Sequence, residues 1–586
     1  FADKGGWSVD QQFMDQMGSP YLIAHGLGRP VDDASTEITF PQAGRYYAYV
    51  RTYNWTSPWH DGAGPGRFSL AVDGKTVGKN LGTSGDCWQW QYAGEVDIRR
   101  PLARISLKDA TGFDGRCDAV YFTTDRGDVP PSDPDSLRAF RNLPEPESVT
   151  GYDLVVAGGG IAGMSAAVSA ARLGCRVALI NDRPVLGGNN SSEIRVHLGG
   201  ALDLGRDPAV GGLQKEFGPE REGNAQPADY YEDRKKLDWI AAETNVTPFL
   251  NYRVDEVDAD GGHIRSITAT DIESGRRLRF EAPLFVDCTG DGTVGYLAGA
   301  DYLYGREGRD EYGEPTAPEK ADSMTMGASV QWRSRPATGR KDARFPDFDY
   351  GLGLTDESCH RVDMGEWTWE TGMRYNQITD AERIRDYGML VVYTNWSHIK
   401  NKLGLYPDRQ LEWVAYIAGK RESRRLLGDY ILKEEDMTKH LFHEDGSFTA
   451  TWSIDLHFPD PENSRYFPGE EFIASTAHVV IYPYPVPYRC LYSRNVDNLF
   501  MAGRNISVTH VALGSVRVMR TTGMMGEVVG MAASLCREHG ALPRDIYRYH
   551  LPELKQLMQK GVARPNLPNN QNYNEGGHLS RKPEIK

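Results

Sequence analysis

Cysteine is scarce. Seven stand in 586 residues: Cys87, Cys117, Cys175, Cys288, Cys359, Cys490 and Cys536. None belongs to a C-x-x-C pair, so thiolate metal sites and dithiol redox chemistry are not expected, and no metal ligand set is assigned. Cys175 and Cys288 lie in apolar strand contexts and read as buried small hydrophobes. Cys87 and Cys117 are the one candidate disulfide pair. Positive charge is also in deficit: 66 Lys and Arg stand against 81 Asp and Glu, a net charge of −15. That balance argues against nucleic acid or an anionic membrane surface as partner. No apolar run approaches membrane-spanning length. No charged segment followed by an apolar one opens the chain, so a secreted form is expected to have lost its signal peptide.

The most informative stretch runs from Tyr152 to Gly200. Tyr152-Asp153-Leu154-Val155-Val156-Ala157 reads as a buried parallel strand. Gly158, Gly160 and Gly163 follow in G-x-G-x-x-G register, then an Ala-rich helix from Met164 to Leu173 and a second apolar strand, Arg176 to Ile180. In such a unit the first glycine permits the tight turn. The second lets backbone approach a pyrophosphate, and the third allows close helix–strand packing. The full strand–turn–helix–strand context makes this a dinucleotide site rather than a bare glycine-rich turn. An acidic residue usually closes the second strand and holds the ribose; here Asn181 stands there, with Asp182 next.

Residues 1–128 read as all-β. Short alternating runs such as Arg45 to Arg51 are separated by Gly, Pro, Asn and Asp, and Phe68 to Val72 runs into an Asp73-Gly74 hairpin turn. The pattern predicts a β-sandwich. Trp7, Trp55, Trp59, Trp88 and Trp90 are many tryptophans for one small domain. They serve either to stack on sugar rings or to fill the core. A proline-rich linker covers 129–150. From Gly151 onward the chain is α/β, and the run from Leu284 through Cys288 reads as a buried strand ending in Thr289-Gly290-Asp291-Gly292.

Several of these stretches resemble known families. Leu186-Gly187-Gly188 resembles the second glycine pair of flavoproteins of the glutathione-reductase type. Asn498 to Arg504 resembles the strand that returns to the flavin there. Together with Gly158 to Gly163, Thr289 to Gly292, the run Gly419-Lys420-Arg421-Glu422-Ser423-Arg424-Arg425, and Ser507 to Arg517, they look like the bacterial FAD-dependent oxidoreductase family. The N-terminal part resembles jelly-roll modules attached to carbohydrate-active proteins. The resemblance covers about 151–536. It implies FAD as cofactor and an α/β, Rossmann-like FAD-binding fold with an inserted cap, preceded by an all-β jelly-roll sandwich. The implied division is 1–128 sandwich, 129–150 linker, 151–300 first FAD-binding part, 301–487 substrate or cap domain, 488–550 second FAD-binding part, and 551–586 polar tail.

Cofactor contacts are expected from Gly158, Gly160, Gly163, Asn181, Asp182, Gly187, Gly188, Arg195, Val254, Thr289, Gly290, Asp291, Gly503, Arg504, Ser515 and Arg517. The flavin supplies the redox chemistry and the protein moves a proton. Histidine, with an unperturbed pKa of about 6.5, suits that task. His510 is the first candidate, placed in a loop before Gly514-Ser515 and a helix starting near Val516. In flavoproteins of this type such a helix aims its N-terminus at the flavin. His457, with Asp455 two residues earlier on one strand face, and His197 are the competitors. The Arg421 to Arg425 run is read as a helix that either pairs its charges internally or holds a polar ligand. The expected function is oxidation of a hydroxyl of a sugar or glycoside, in a periplasmic or secreted bacterial enzyme, with a small-molecule or oligosaccharide substrate and an unidentified electron acceptor. Two alternatives stand beside it. One is redox-neutral glycoside cleavage by transient oxidation and elimination; the other is glycan binding with a structural flavin.

Overall fold

The computed structural model describes residues 1–338 and 344–568. The chain packs as two compact units, each assembled from separated segments. The first comprises residues 1–144, 332–365 and 381–417. Segments 332–365 and 381–417, which the sequence reading places in the cap, therefore pack with the N-terminal strands.

In that first unit the strand Phe68–Val72 pairs with Lys75–Leu81, and Asp73 and Gly74 between them both take positive φ, 46° and 79°. This is the hairpin that Asp-Gly predicts, because both central residues of the favoured turn need left-handed backbone. These strands join Ala34–Thr39 and Leu102–Asp109 in a four-stranded sheet; Gly44–Thr52, Gln89–Ile98 and Ala119–Thr123 form a second sheet. Phe68, Leu70 and Leu107 from one sheet share a buried core with Val50, Ala93 and Ile98 from the other. Ion pairs close the unit across long sequence distances. Arg116 lies 2.9 Å from Asp386, and Arg385 lies 2.6 Å from Asp10, with all four side chains nearly or fully buried.

None of the five tryptophans is exposed. Trp7 and Trp55 are buried, the Trp88 indole donates to Glu382 and that of Trp90 to the Pro131 carbonyl. Cys87 and Cys117 are separate thiols, one exposed and one buried, which corrects the candidate disulfide. The proline-rich linker carries an eight-residue helix, Pro134–Arg141, whose first turn is capped by Asp133. Arg141 anchors it on Asp118 at 2.8 Å.

The second unit comprises 145–331, 366–380 and 418–586. Its central sheet holds β1 (Leu154–Ala157), β2 (Val177–Asn181), β3 (Val246–Leu250) and β4 (Leu284–Asp287). Three two-residue strands follow: β5 (Ala328–Ser329), β6 (Glu370–Thr371) and β7 (Gly419–Lys420). Beyond them come β8 (Ile454–Pro459) and β9 (Leu499–Met501). The helices that matter are α1 (Ile161–Arg172), α2 (His510–Val516), α3 (Met519–His539) and α4 (Leu551–Lys560). The central sheet is wholly parallel, in the order β3-β2-β1-β4-β9. The four strands β2, β1, β4 and β9 are buried on both faces, as parallel strands covered by helices are, while the edge strand β3 is buried only at Val246.

Helix α3 crosses α1 at very short range. A Cβ at Gly526 would stand 2.0 Å from the Ala162 carbonyl, so only glycine fits that crossing. Residues 551–560, expected as the start of a polar tail, form α4, which buries Leu554 and Met558. The polar run Asn569-Asn570-Gln571-Asn572 lies outside the described residues.

Candidate functional site

The turn after β1 follows the glycine logic. Gly158 has φ +106°, and a Cβ there would stand 2.2 Å from the Cys288 carbonyl; one at Gly163 would stand 1.8 Å from the Gly158 carbonyl. At Gly160, by contrast, the nearest atom to an added Cβ is Gly188 Cα at 3.8 Å. The turn is thus tight behind and open in front. Gly160 is the N-cap of α1, and no side chain caps that helix, although all but its last residue are buried. A buried, uncapped N-terminus beside glycine is a ready anion site. The second glycine pair closes on the first, since Gly187 N donates to the Gly159 carbonyl at 2.9 Å. The residues present therefore fit a dinucleotide pyrophosphate.

Asn181 does not project as a free ribose contact. Its Oδ1 accepts from Gly159 N at 3.1 Å and its Nδ2 donates to the Arg183 and Val185 carbonyls. It braces the two glycine turns. Asp182 is half-buried and pairs with Arg253 at 3.2 Å. Lys236 was not foreseen. It is fully buried behind the second turn and donates to the Asn190 and Tyr231 carbonyls; burial pushes its ammonium down to about 8. Arg195 takes a positive φ of 63° and donates to the Ser192 carbonyl. Val254 lies buried opposite Ala269 in a separate four-stranded mixed sheet.

A second group of residues is strung along Gly419 to Arg425. The segment is extended and not helical, and most of its side chains reach partners elsewhere. Lys420 and Ser423 bond Asp291 at 2.9 and 2.7 Å, and Arg504 reaches both Asp291 and Ser423 at 2.8 Å. Although burial opposes it, Lys420 and Arg504 hold the Asp291 carboxyl well below the usual range. Thr289 is tied to Asp287, and Gly290 and Gly503 adopt left-handed φ values.

The expected catalytic histidines fall into two buried histidine–carboxylate pairs. His510 Nδ1 lies 2.9 Å from Glu422 Oε2, with both side chains buried. Its Nε2 makes no hydrogen bond to a described residue. His510 does not sit in a loop, as expected, but is the first residue of α2, whose cap is Thr509 accepting from Ala512 N. His457 and Asp455 share one face of β8, as their spacing predicts. His457 Nδ1 lies 2.5 Å from Glu370, and its Nε2 receives Arg517 at 2.9 Å, while Arg517 also bonds Asp455 at 3.0 Å. The ring of half-buried Trp367 is 5.3 Å from His457.

Sequence alone assigns neither glutamate this role, since it passes over Glu370 and places Glu422 in a charge-pairing helix, and one short segment holds both. Met326 N donates to Glu422 and Gly327 N to Glu370. Successive N–H groups of an extended segment point to opposite sides. Glu370 lies in β6 and Glu422 just beyond β7, the two strands that flank β5. Burial alone would raise these carboxyls. Arg421 and His457 instead hold Glu370 down to about 2, and His510 with Arg425 lowers Glu422. Each carboxylate is thus ionised and orients the Nδ1–H of its imidazole. His197 Nδ1 lies 2.9 Å from Asn224 Oδ1. Ser515 donates to the Trp452 carbonyl at 2.7 Å.

The chain is 33% identical over 259 residues to the tRNA uridine 5-carboxymethylaminomethyl modification enzyme MnmG of Thermus thermophilus, a match covering 39% of this chain and 42% of that enzyme. It thus spans less than half the length of the curated relatives it matches. Solved structures it resembles include the myxobacterial chondrochloren halogenase CndH. That match has 13% identity and a TM-score of 0.31, covering 70% of this chain and 79% of that one. The Escherichia coli quinol fumarate reductase subunit FrdA matches with 11% identity and a TM-score of 0.27, covering 70% and 75%. Residues 153–558, more than half of the chain, match the FAD dependent oxidoreductase family model, and with the glycine cradle in place the protein belongs to that family as an oxidoreductase whose cofactor is FAD.

Proposed function

We propose that the enzyme oxidises a hydroxyl-bearing carbon of a sugar or glycoside, with His510 as the base. Bound FAD supplies the hydride acceptor. His510 takes the hydroxyl proton on Nε2, the nitrogen with no hydrogen-bond partner among the described residues. Glu422 holds the ring through Nδ1 and stabilises the imidazolium as it forms. This pair carries the reading. His457 is the weaker base, because Arg517 already occupies its Nε2. Asp455, His457 and Arg517 instead offer a polar face for substrate hydroxyls, with the Trp367 ring beside them for a sugar to stack on. A net charge of −15 speaks against a polyanionic substrate such as the tRNA that appears in the relative's name. A periplasmic or secreted setting would suit glycoside substrates.

The second pair favours a second reading. Simple alcohol oxidation needs one base, and this unit holds two buried histidine–carboxylate pairs. A transient ketone would acidify the neighbouring C–H, His457 could remove that proton if Arg517 moved aside, a leaving group could depart, and return of the hydride to the unsaturated ketone would leave the cycle redox-neutral. Anaerobic mixing with a panel of glycosides tests both readings. Flavin bleaching that persists until an acceptor is added supports net oxidation. Cleavage products without any acceptor support elimination. Neither response with any hydroxyl substrate would refute the proposal.

A further inference from the structure

Outside the cofactor region, the ends of two helices bring together a second cluster of metal-competent side chains. α3 ends at His539, and Gly540 turns the chain away in left-handed conformation with φ +61°. His550 is the N-cap of α4, and Glu553 lies in that helix's first turn. His539 Nε2 stands 2.9 Å from Glu553 Oε2, and His550 Nδ1 stands 2.7 Å from Glu553 Oε1. The two rings lie nearly parallel, 13° apart with centroids at 3.9 Å. The three donor atoms all fall within 4.8 Å of one another.

We propose that His539, His550 and Glu553 form a binding site for a divalent transition ion of the zinc class. The distances carry the argument. Two donors at about 2.1 Å from one tetrahedral ion stand ~3.4 Å apart. Each imidazole nitrogen stands 2.9 or 2.7 Å from its Glu553 oxygen, so an ion that replaces the bridging protons needs each pair to open by about half an ångström, within reach of side-chain rotation. The ligand chemistry selects the class. Two imidazoles and one carboxylate suit zinc and its neighbours, whereas calcium and magnesium require mostly oxygen ligands. The site faces solvent, with the His539 side chain 29% exposed, so water can complete the coordination. The ion would fasten the end of α3 to the start of α4, on the helix that packs along α1. Sequence shows only the i, i+3 spacing of His550 and Glu553; His539 arrives through the fold.

The test uses the full-length, FAD-loaded protein after chelator treatment and dialysis, titrated with Zn²⁺ alone by calorimetry. One saturable equivalent per chain is expected, with a rise in thermal midpoint that chelator reverses. His550→Ala and Glu553→Gln should each weaken binding by at least about tenfold, as loss of a ligand does. Their flavin absorbance and circular dichroism should match the wild type. His263→Ala, a change at an exposed histidine elsewhere, should leave binding intact. The proposal is overturned if no single-equivalent binding appears, or if binding survives the His539→Ala/His550→Ala double change.

Discussion

Replacing Glu527 with glutamine should remove a loss of stability that the wild type suffers as pH rises from about 4.5 to about 8. Glu527 is fully buried on α3; one carboxyl oxygen accepts from Gly211 N at 2.8 Å, and the other has no hydrogen-bond partner among the described residues. Burial pushes this carboxyl from 4.5 up to about 8. The folded protein therefore keeps a proton that the unfolded chain releases. The stabilisation is fully present below about 4.5 and is lost as pH rises through about 8. At ~1.4 kcal/mol per pH unit, the 3.5-unit span sets a ceiling of about 5 kcal/mol. Relaxation and water entry reduce that to a few kcal/mol. Glu527→Gln keeps the shape and the acceptor for Gly211 but cannot ionise. The assay is the thermal midpoint, followed by flavin release and by circular dichroism, at pH 5.5, 7 and 8.5. The variant should gain on the wild type steadily across that range. Parallel curves for the two proteins would refute a neutral Glu527.

Gly160→Glu places a side chain and a negative charge at the open face of the first glycine turn and should yield folded, colourless protein; full flavin absorbance in that variant would overturn the cradle assignment. Arg116→Met leaves Asp386 buried beside a lost partner and should destabilise the first unit by about 3–5 kcal/mol, read from its denaturant midpoint. For the same reason residues 1–128 expressed alone should not fold as a unit; a soluble, strand-rich fragment would show that segments 332–365 and 381–417 are dispensable.

The nucleotide unit was legible because its signals are local. Glycine spacing, apolar strands and an Ala-rich helix each follow from neighbouring residues, and the parallel sheet appears where they predict. The Asp455–His457 face was legible too, because strand periodicity is local. The carboxylates of the two histidine pairs were not. Glu370 and Glu422 acquire their roles from strands that flank β5 and from the N–H groups of Met326 and Gly327, all distant in sequence. The 421–425 run misled because its charges suggest a helix that pairs internally. In the fold most of them reach partners far away in the chain, and an extended backbone is what presents them to both sides. The first unit's makeup was hidden for the same reason, since contacts distant in sequence, such as Arg116–Asp386, Arg385–Asp10 and Trp88–Glu382, decide which later segments belong to it.

The central claim is that His510 takes the substrate proton. The direct measurement is the anaerobic rate of flavin reduction by stopped flow, with a responsive glycoside, in wild type, His510→Gln and His457→Gln, each first shown to retain FAD. Loss of a general base should slow reduction on the order of 10²- to 10⁴-fold in His510→Gln. His457→Gln should mainly weaken substrate binding. Near wild-type reduction in His510→Gln, with the large loss falling on His457→Gln instead, would contradict the account.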